Sequence, residues 1–151
     1  MVRVVEGIVG LLELVGESLG PSSWVEVTQE MVDAFAAATG DHQWIHVDVE
    51  RAQAGPFGGP IAHGYLTLSL IPRFLPELIE ARGFSMGVNY GCERVRFPTP
   101  VPVGRRVRAG MVVDEVTEVA GGAQFRATIT IELEEAAKPA CVAVVLLRRY
   151  L

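Results

Sequence analysis

Residues 61–79 read Ile-Ala-His-Gly-Tyr-Leu-Thr-Leu-Ser-Leu-Ile-Pro-Arg-Phe-Leu-Pro-Glu-Leu-Ile. Leu66, Leu68, Leu70, Ile71, Phe74, Leu75, Leu78 and Ile79 surround most of a helical circumference instead of forming one stripe. A helix that is apolar nearly all round belongs inside a core. Pro72 and Pro76 predict a kink or break in its later half, because proline lacks a backbone donor and crowds the preceding turn. Gly83 closes the segment. Tyr65, Phe74 and the leucines read as core residues.

The chain beyond Gly83 reads as β. Ser85 to Phe97 is strand-like, and a change of phase between Tyr90 and Val95 predicts a bulge near Gly91. Pro98, Pro100, Pro102 and Gly104 make a stiff turn into a long strand from Arg105 to Val119. Gly121-Gly122 reads as a hairpin turn. Phe125, Ala127, Ile129, Ile131 and Leu133 then alternate with polar residues, as a strand with one wet face should. Ala140 to Leu147 is apolar on both faces and reads as a central strand. Short connections imply antiparallel pairing. A buried helix against about four long strands is an α+β layer arrangement, with the sheet wrapped around the helix.

Upstream, Val4, Val5, Ile8, Leu11, Leu12 and Val15 recur at helical spacing, which predicts an amphipathic helix over about residues 3–16. Trp24 to Val27 is a short strand-like run. Thr28 is a candidate N-cap, with Gln29 and Glu30 in the first turn and Met31, Phe35 and Ala38 along one face. Gly40 stands where a left-handed residue ends a helix. Asp48 can cap a further short helix through Glu50 and Ala54.

Half of the 151 residues are hydrophobic and 21% are charged, which favours one folded domain over residues 1–151. A net charge of -5 lacks the basic surplus that a nucleic-acid partner requires. Cys92 and Cys141 lie in apolar runs and suggest no disulfide framework, so a reducing cytoplasm is the expected compartment. No Cys/His cluster has zinc-ligand spacing and no nicotinamide or flavin motif is visible, so neither metal nor cofactor is expected. Gly7 to Leu12 is apolar but bracketed by Glu6 and Glu13, too short and too acidic for a signal peptide, and no apolar run reaches membrane-spanning length.

The chemistry concentrates in Thr39–Asp48, Thr-Gly-Asp-His-Gln-Trp-Ile-His-Val-Asp. Asp41 precedes His46 by five residues, and a loop that doubles back brings a carboxylate and an imidazole to one water, the equipment of proton transfer. The plainer reading makes Asp41 a turn cap and His46 an ordinary polar loop residue.

Gly40-Asp41-His42-Gln43-Trp44-Ile45-His46 resembles the signature of the MaoC-like, (R)-specific enoyl-CoA hydratases (hydratase 2), Gly-Asp-x-Asn-Pro-aliphatic-His. Pro60-Ile61-Ala62-His63-Gly64 resembles the second block of that family and Phe97 through Gly104 the third. The resemblance covers roughly residues 23–148 and is greatest to a small single-domain, nodulation-protein-N-like branch. It implies the hot-dog fold, a homodimer, and reversible hydration of a trans-2-enoyl thioester of CoA or acyl carrier protein to the (3R)-3-hydroxyacyl thioester. By the same resemblance Asp41 and His46 are catalytic, the backbone N–H of Gly64 is the oxyanion donor, and Gly40 and Gln43 support the loop. Gln43 and Trp44 replace the family's Asn and Pro; a glutamine offers the same amide one methylene further out. His63 reads as a structural residue beneath the loop, and His42 as facing solvent or a subunit boundary. Arg94, Arg96, Arg105 and Arg106 read either as a site for CoA phosphates or as a solvated strand edge. A hot-dog thioesterase, or a non-catalytic acyl-thioester-binding subunit, are the alternatives.

Overall fold

Thr28 and Gly40 behave as their chemistry dictates. In the computed structural model, which describes residues 1–151, Thr28 Oγ1 accepts the N–H of Met31 at 3.2 Å and opens a helix over Gln29–Thr39. Gly40 closes it with φ 79°, a left-handed conformation that costs glycine nothing. Val32 and Ala36 form the buried face of this helix, flanked by Met31 and Phe35, and Ala38 is exposed.

In chain order the elements are β1 (Arg3–Glu6), α1 (Gly7–Leu12), β2 (Ser18–Leu19), β3 (Val25–Glu26), α2 (Gln29–Thr39), α3 (Trp44–Val47), α4 (Val49–Gln53), α5 (Gly64–Ser69), α6 (Ile71–Leu78), β4 (Ile79–Arg82), β5 (Met86–Arg96), β6 (Arg106–Val119), β7 (Gly122–Leu133) and β8 (Cys141–Tyr150). The principal sheet runs β2-β6-β7-β8-β5, with β3 also paired to β6, and every pairing in it is antiparallel. Its inner face, including Val107, Met111, Phe125, Ile129, Ala143 and Leu147, shares one core with Leu66, Leu70, Phe74 and Leu78 of α5 and α6. This is the expected sheet on helix, and β8 lies between β7 and β5 as its apolar sequence requires.

Several expectations are corrected. The helix expected over residues 3–16 is confined to Gly7–Leu12, because Arg3–Glu6 pairs in parallel with Ile79–Arg82 and satisfies its backbone there. The break in the central helix falls at Leu70 rather than at a proline; Pro72 sits in the first turn of α6, where a missing N–H costs nothing, and Pro76 lies inside α6. The helix pair is buried on one face only: Tyr65 is 70% exposed, whereas Phe74 is fully buried. Finally, the Pro98–Gly104 turn does not join neighbouring strands. β5 lies at the far edge beyond β8, so this connection crosses from one edge of the sheet towards the other.

That crossing positions the site. Ala62 N–H donates to Val101 O at 2.8 Å, Val103 N–H to Pro60 O at 2.9 Å, and Ile61 N–H to Ile45 O at 3.0 Å. The segment preceding α5 is thereby clamped between the α3 loop and the crossing. β5 carries register shifts on both sides of Gly91–Cys92, the bulge expected there. The hairpin turn is Ala120-Gly121, one residue earlier than expected. Arg105 and Arg106 are both held by Glu134, whereas Arg94 and Arg96 stand on the exposed edge strand.

Candidate active site

His46 sits in the single turn of α3 and is buried. Its Nδ1 lies 2.6 Å from Ile61 O. A carbonyl only accepts, so Nδ1 carries the proton and Nε2 keeps its lone pair in the neutral ring. Gln29, in the first turn of α2, donates from Nε2 to His46 O at 2.8 Å and to Asp33 Oδ1 at 2.9 Å. Both the ring and the backbone of His46 are thus fixed.

Asp41 follows Gly40 directly and is exposed. Its Oδ1 accepts the N–H of Gln43 at 3.3 Å, an Asx-type turn that aims the chain into α3. Gln43 therefore contributes its backbone, and its side chain makes no hydrogen bond within the chain. Trp44 packs its ring over Gly55, where an added Cβ would meet it at 2.9 Å, and receives Arg51 on its face at 4.4 Å. The tryptophan that replaces the expected proline is a packing residue of the α3–α4 corner. His42 is exposed.

His63 lies directly beneath. Its Nε2 donates to Asp41 O at 3.0 Å, and its ring stacks on that of His46 at 3.9 Å between centroids with planes 25° apart. Its Nδ1 is buried without a partner. The ligating atoms of Asp41, His46 and His63 lie within 4.8 Å of one another. Stacked rings run their nitrogen lone pairs side by side instead of converging, and each ring already commits one nitrogen to a carbonyl. The trio therefore suits proton transfer better than metal ligation.

A cavity of about 310 Å³ opens beside His46 and is walled by Ile61, Gly64, Thr67, Phe97 and Val101, among others. A Cβ on Gly64 would lie 2.9 Å from Phe97 Cδ2, so only glycine allows the crossing to approach the start of α5 this closely. The structure thus brings together Asp41, His46, His63 and Gly64, with Gly40 turning the chain into Asp41. Gln29 and Thr67 were missed from sequence. The signal for Thr67 is a hydroxyl within the apolar run Leu66–Leu70; Gln29 reads as an ordinary first-turn residue and leaves no signal. Cys141 is no alternative nucleophile: burial pushes its thiol up to about 11, with Cys92 adding to the shift.

The model of the MaoC like domain matches residues 12–135. The chain belongs to the MaoC-like dehydratase family. It is 51% identical over 142 residues to 3-hydroxyacyl-thioester dehydratase Z of Mycobacterium tuberculosis, covering 93% of this chain and 94% of that protein. It is 45% identical over 136 residues to nodulation protein N of Rhizobium leguminosarum bv. viciae, covering 85% and 82%. Among solved structures, unliganded R-hydratase PhaJ1 from Pseudomonas aeruginosa superposes with a TM-score of 0.75 at 22% identity, over 95% of this chain and 85% of that one. This MaoC-like chain has the hot-dog fold and is a hydro-lyase of the hydratase/dehydratase class. No helix in it is long and apolar enough to cross a membrane.

Proposed function

We propose that this MaoC-like enzyme is an (R)-specific enoyl-thioester hydratase that adds water reversibly to trans-2-enoyl-CoA, giving (3R)-3-hydroxyacyl-CoA. The observation that carries the reading is the 2.6 Å contact of His46 Nδ1 with Ile61 O, which leaves Nε2 free as a base on a ring that lies close to the Asp41 carboxylate. One water lies between the two groups. Nε2 takes one of its protons as the oxygen attacks C3, while the other hydrogen stays on that oxygen and is hydrogen-bonded to the Asp41 carboxylate, which also balances the imidazolium charge. The C2–C3 π electrons move onto the thioester as an enolate, whose oxygen meets the N–H of Gly64 at the start of α5. The imidazolium returns its proton to C2 on the same face, so one water is added and no charge remains.

The acyl chain has a path. Gly64, Thr67, Leu68 and Ile71 follow one another along one side of α5 and α6, and a second cavity of about 300 Å³ lies further along that side, between Leu68, Ile71, Cys92 and Val145. Its apolar walls favour an aliphatic tail. Two free cysteines accord with a reducing cytoplasm. β5 leaves one edge unpaired along 11 residues, which supports a homodimer formed through that strand.

The test is hydration of crotonyl-CoA and longer enoyl-CoAs, followed by loss of the conjugated enoyl absorbance with a thiol reagent in parallel. Wild type should hydrate without releasing thiol, and Asp41→Asn and His46→Gln should each lose about 10²-fold or more. Thiol release by wild type would favour a thioesterase. Unchanged variants would remove the two residues from the chemistry.

A further inference from the structure

Thr67 is the unexplained polar group of the cavity. The residue is 2% exposed, yet its hydroxyl bonds to no atom of the chain. Helical serine and threonine ordinarily return their hydroxyl to the carbonyl one turn back. Ser69, in the same helix, does so to Tyr65 O at 2.6 Å, and Thr39 does so to Phe35 O at 2.7 Å. Thr67 does not, although His63 O is one turn back and accepts only the N–H groups of Leu66 and Thr67. The Thr67 hydroxyl is also not sealed into the core, since the buried unpartnered side-chain atoms are Gln29 Oε1 and His63 Nδ1. Thr67 lines the cavity that holds His46 and Gly64. Its hydroxyl therefore faces a space that only a ligand or water can fill.

The geometry points to a role: we propose that the Thr67 hydroxyl touches the substrate and donates a hydrogen bond to the thioester carbonyl oxygen. This rests on the hydratase reading above and names a second donor for it. Side chains on a helix lean towards its N-terminus, so Thr67, three residues after Gly64, carries its hydroxyl back towards the Gly64 N–H on the same side. The other walls are apolar apart from His46 and Thr99. A hydroxyl that is left free in the resting chain and meets an oxygen whose charge grows during reaction stabilises the transition state more than the substrate. In the resting state it contributes nothing to stability, because it makes no hydrogen bond within the chain.

Thr67→Val is nearly isosteric and removes only the donor; Thr67→Ser keeps the donor and removes a methyl. Three readouts separate the outcomes: steady-state kinetics on crotonyl-CoA, thermal melting, and isotope-edited infrared spectra of the carbonyl of bound butyryl-CoA. Thr67→Val should lower kcat by roughly 10²-fold with KM within about threefold, as loss of one oxyanion donor does. It should melt no lower than wild type, and the carbonyl band should move back towards its frequency in water-free solvent. Thr67→Ser should keep kcat within about fivefold of wild type. A Thr67→Val enzyme with wild-type kcat and an unmoved carbonyl band overturns the proposal, as does a loss confined to KM. Failure of wild type to hydrate any enoyl thioester would instead overturn the hydratase reading and this proposal with it.

Discussion

Gly64→Ala adds one methyl group where the structure has no room for it. The new Cβ would lie 2.9 Å from Cδ2, 3.1 Å from Cε2 and 3.1 Å from Cγ of Phe97. Carbon atoms rest about 3.5–4.0 Å apart, so the ring must retreat by roughly 0.5–1 Å. Phe97 is 38% exposed and free to swing outward, which places the stability cost near the low end of overpacking, about 1 kcal/mol. For a chain of this length that lowers Tm by roughly 2–4 °C. Activity should suffer far more, because the methyl stands at the start of α5 in the cavity beside His46, and the ring that it displaces is a wall of that cavity. An expected loss of about 10²-fold in kcat/KM on crotonyl-CoA corresponds to roughly 2.7 kcal/mol of transition-state stabilisation. The double variant with Phe97→Leu separates the causes. Leucine relieves the clash, so Tm should recover while activity stays low if the methyl itself blocks approach to the α5 N-terminus. Recovery of activity together with Tm would show that ring displacement was the whole effect. A Gly64→Ala enzyme within about threefold of wild type would refute the placement of the reacting thioester at the start of α5.

Two further outcomes are expected. His63→Ala removes a buried ring stacked on His46 and the donor to Asp41 O, which should cost roughly 2–4 kcal/mol of stability; differential scanning calorimetry checks this. Its residual activity at 20 °C or so should also fall by about tenfold or more, since the carbonyl of Asp41 loses its tether; an enzyme destabilised yet fully active would make His63 purely structural. Light scattering should return twice the 16.3 kDa chain mass, and a single-chain mass in dilute solution would remove the β5-paired homodimer.

What the sequence by itself determined is what short-range physics controls. Thr28 and Gly40 bound α2 because a cap and a left-handed residue act within one turn. Asp48 accepts the N–H of Arg51 at 3.1 Å and opens α4 for the same reason. The alternation in β7 reports a strand with one wetter face, and the apolar run of β8 reports a strand paired on both sides, as β7 is too. The convergence of Asp41 on His46 was legible too, because Gly40 and a five-residue loop leave few other paths.

Tertiary structure decided whatever depends on a distant partner. Arg3–Glu6 has helical spacing but becomes a strand because Ile79–Arg82 offers it a parallel edge, a contact 76 positions away at Arg3↔Ile79. The Phe97–Gly104 connection becomes a wall of the cavity only because β5 pairs beyond β8. The stack of His63 on His46, the grip of Gln29 on His46 O and the free hydroxyl of Thr67 each join or leave open groups that lie far apart in the chain. Local sequence sets backbone conformation through interactions within a turn or two. Which polar atoms find partners, and which stay open to a ligand, is settled only when remote segments pack and exclude water.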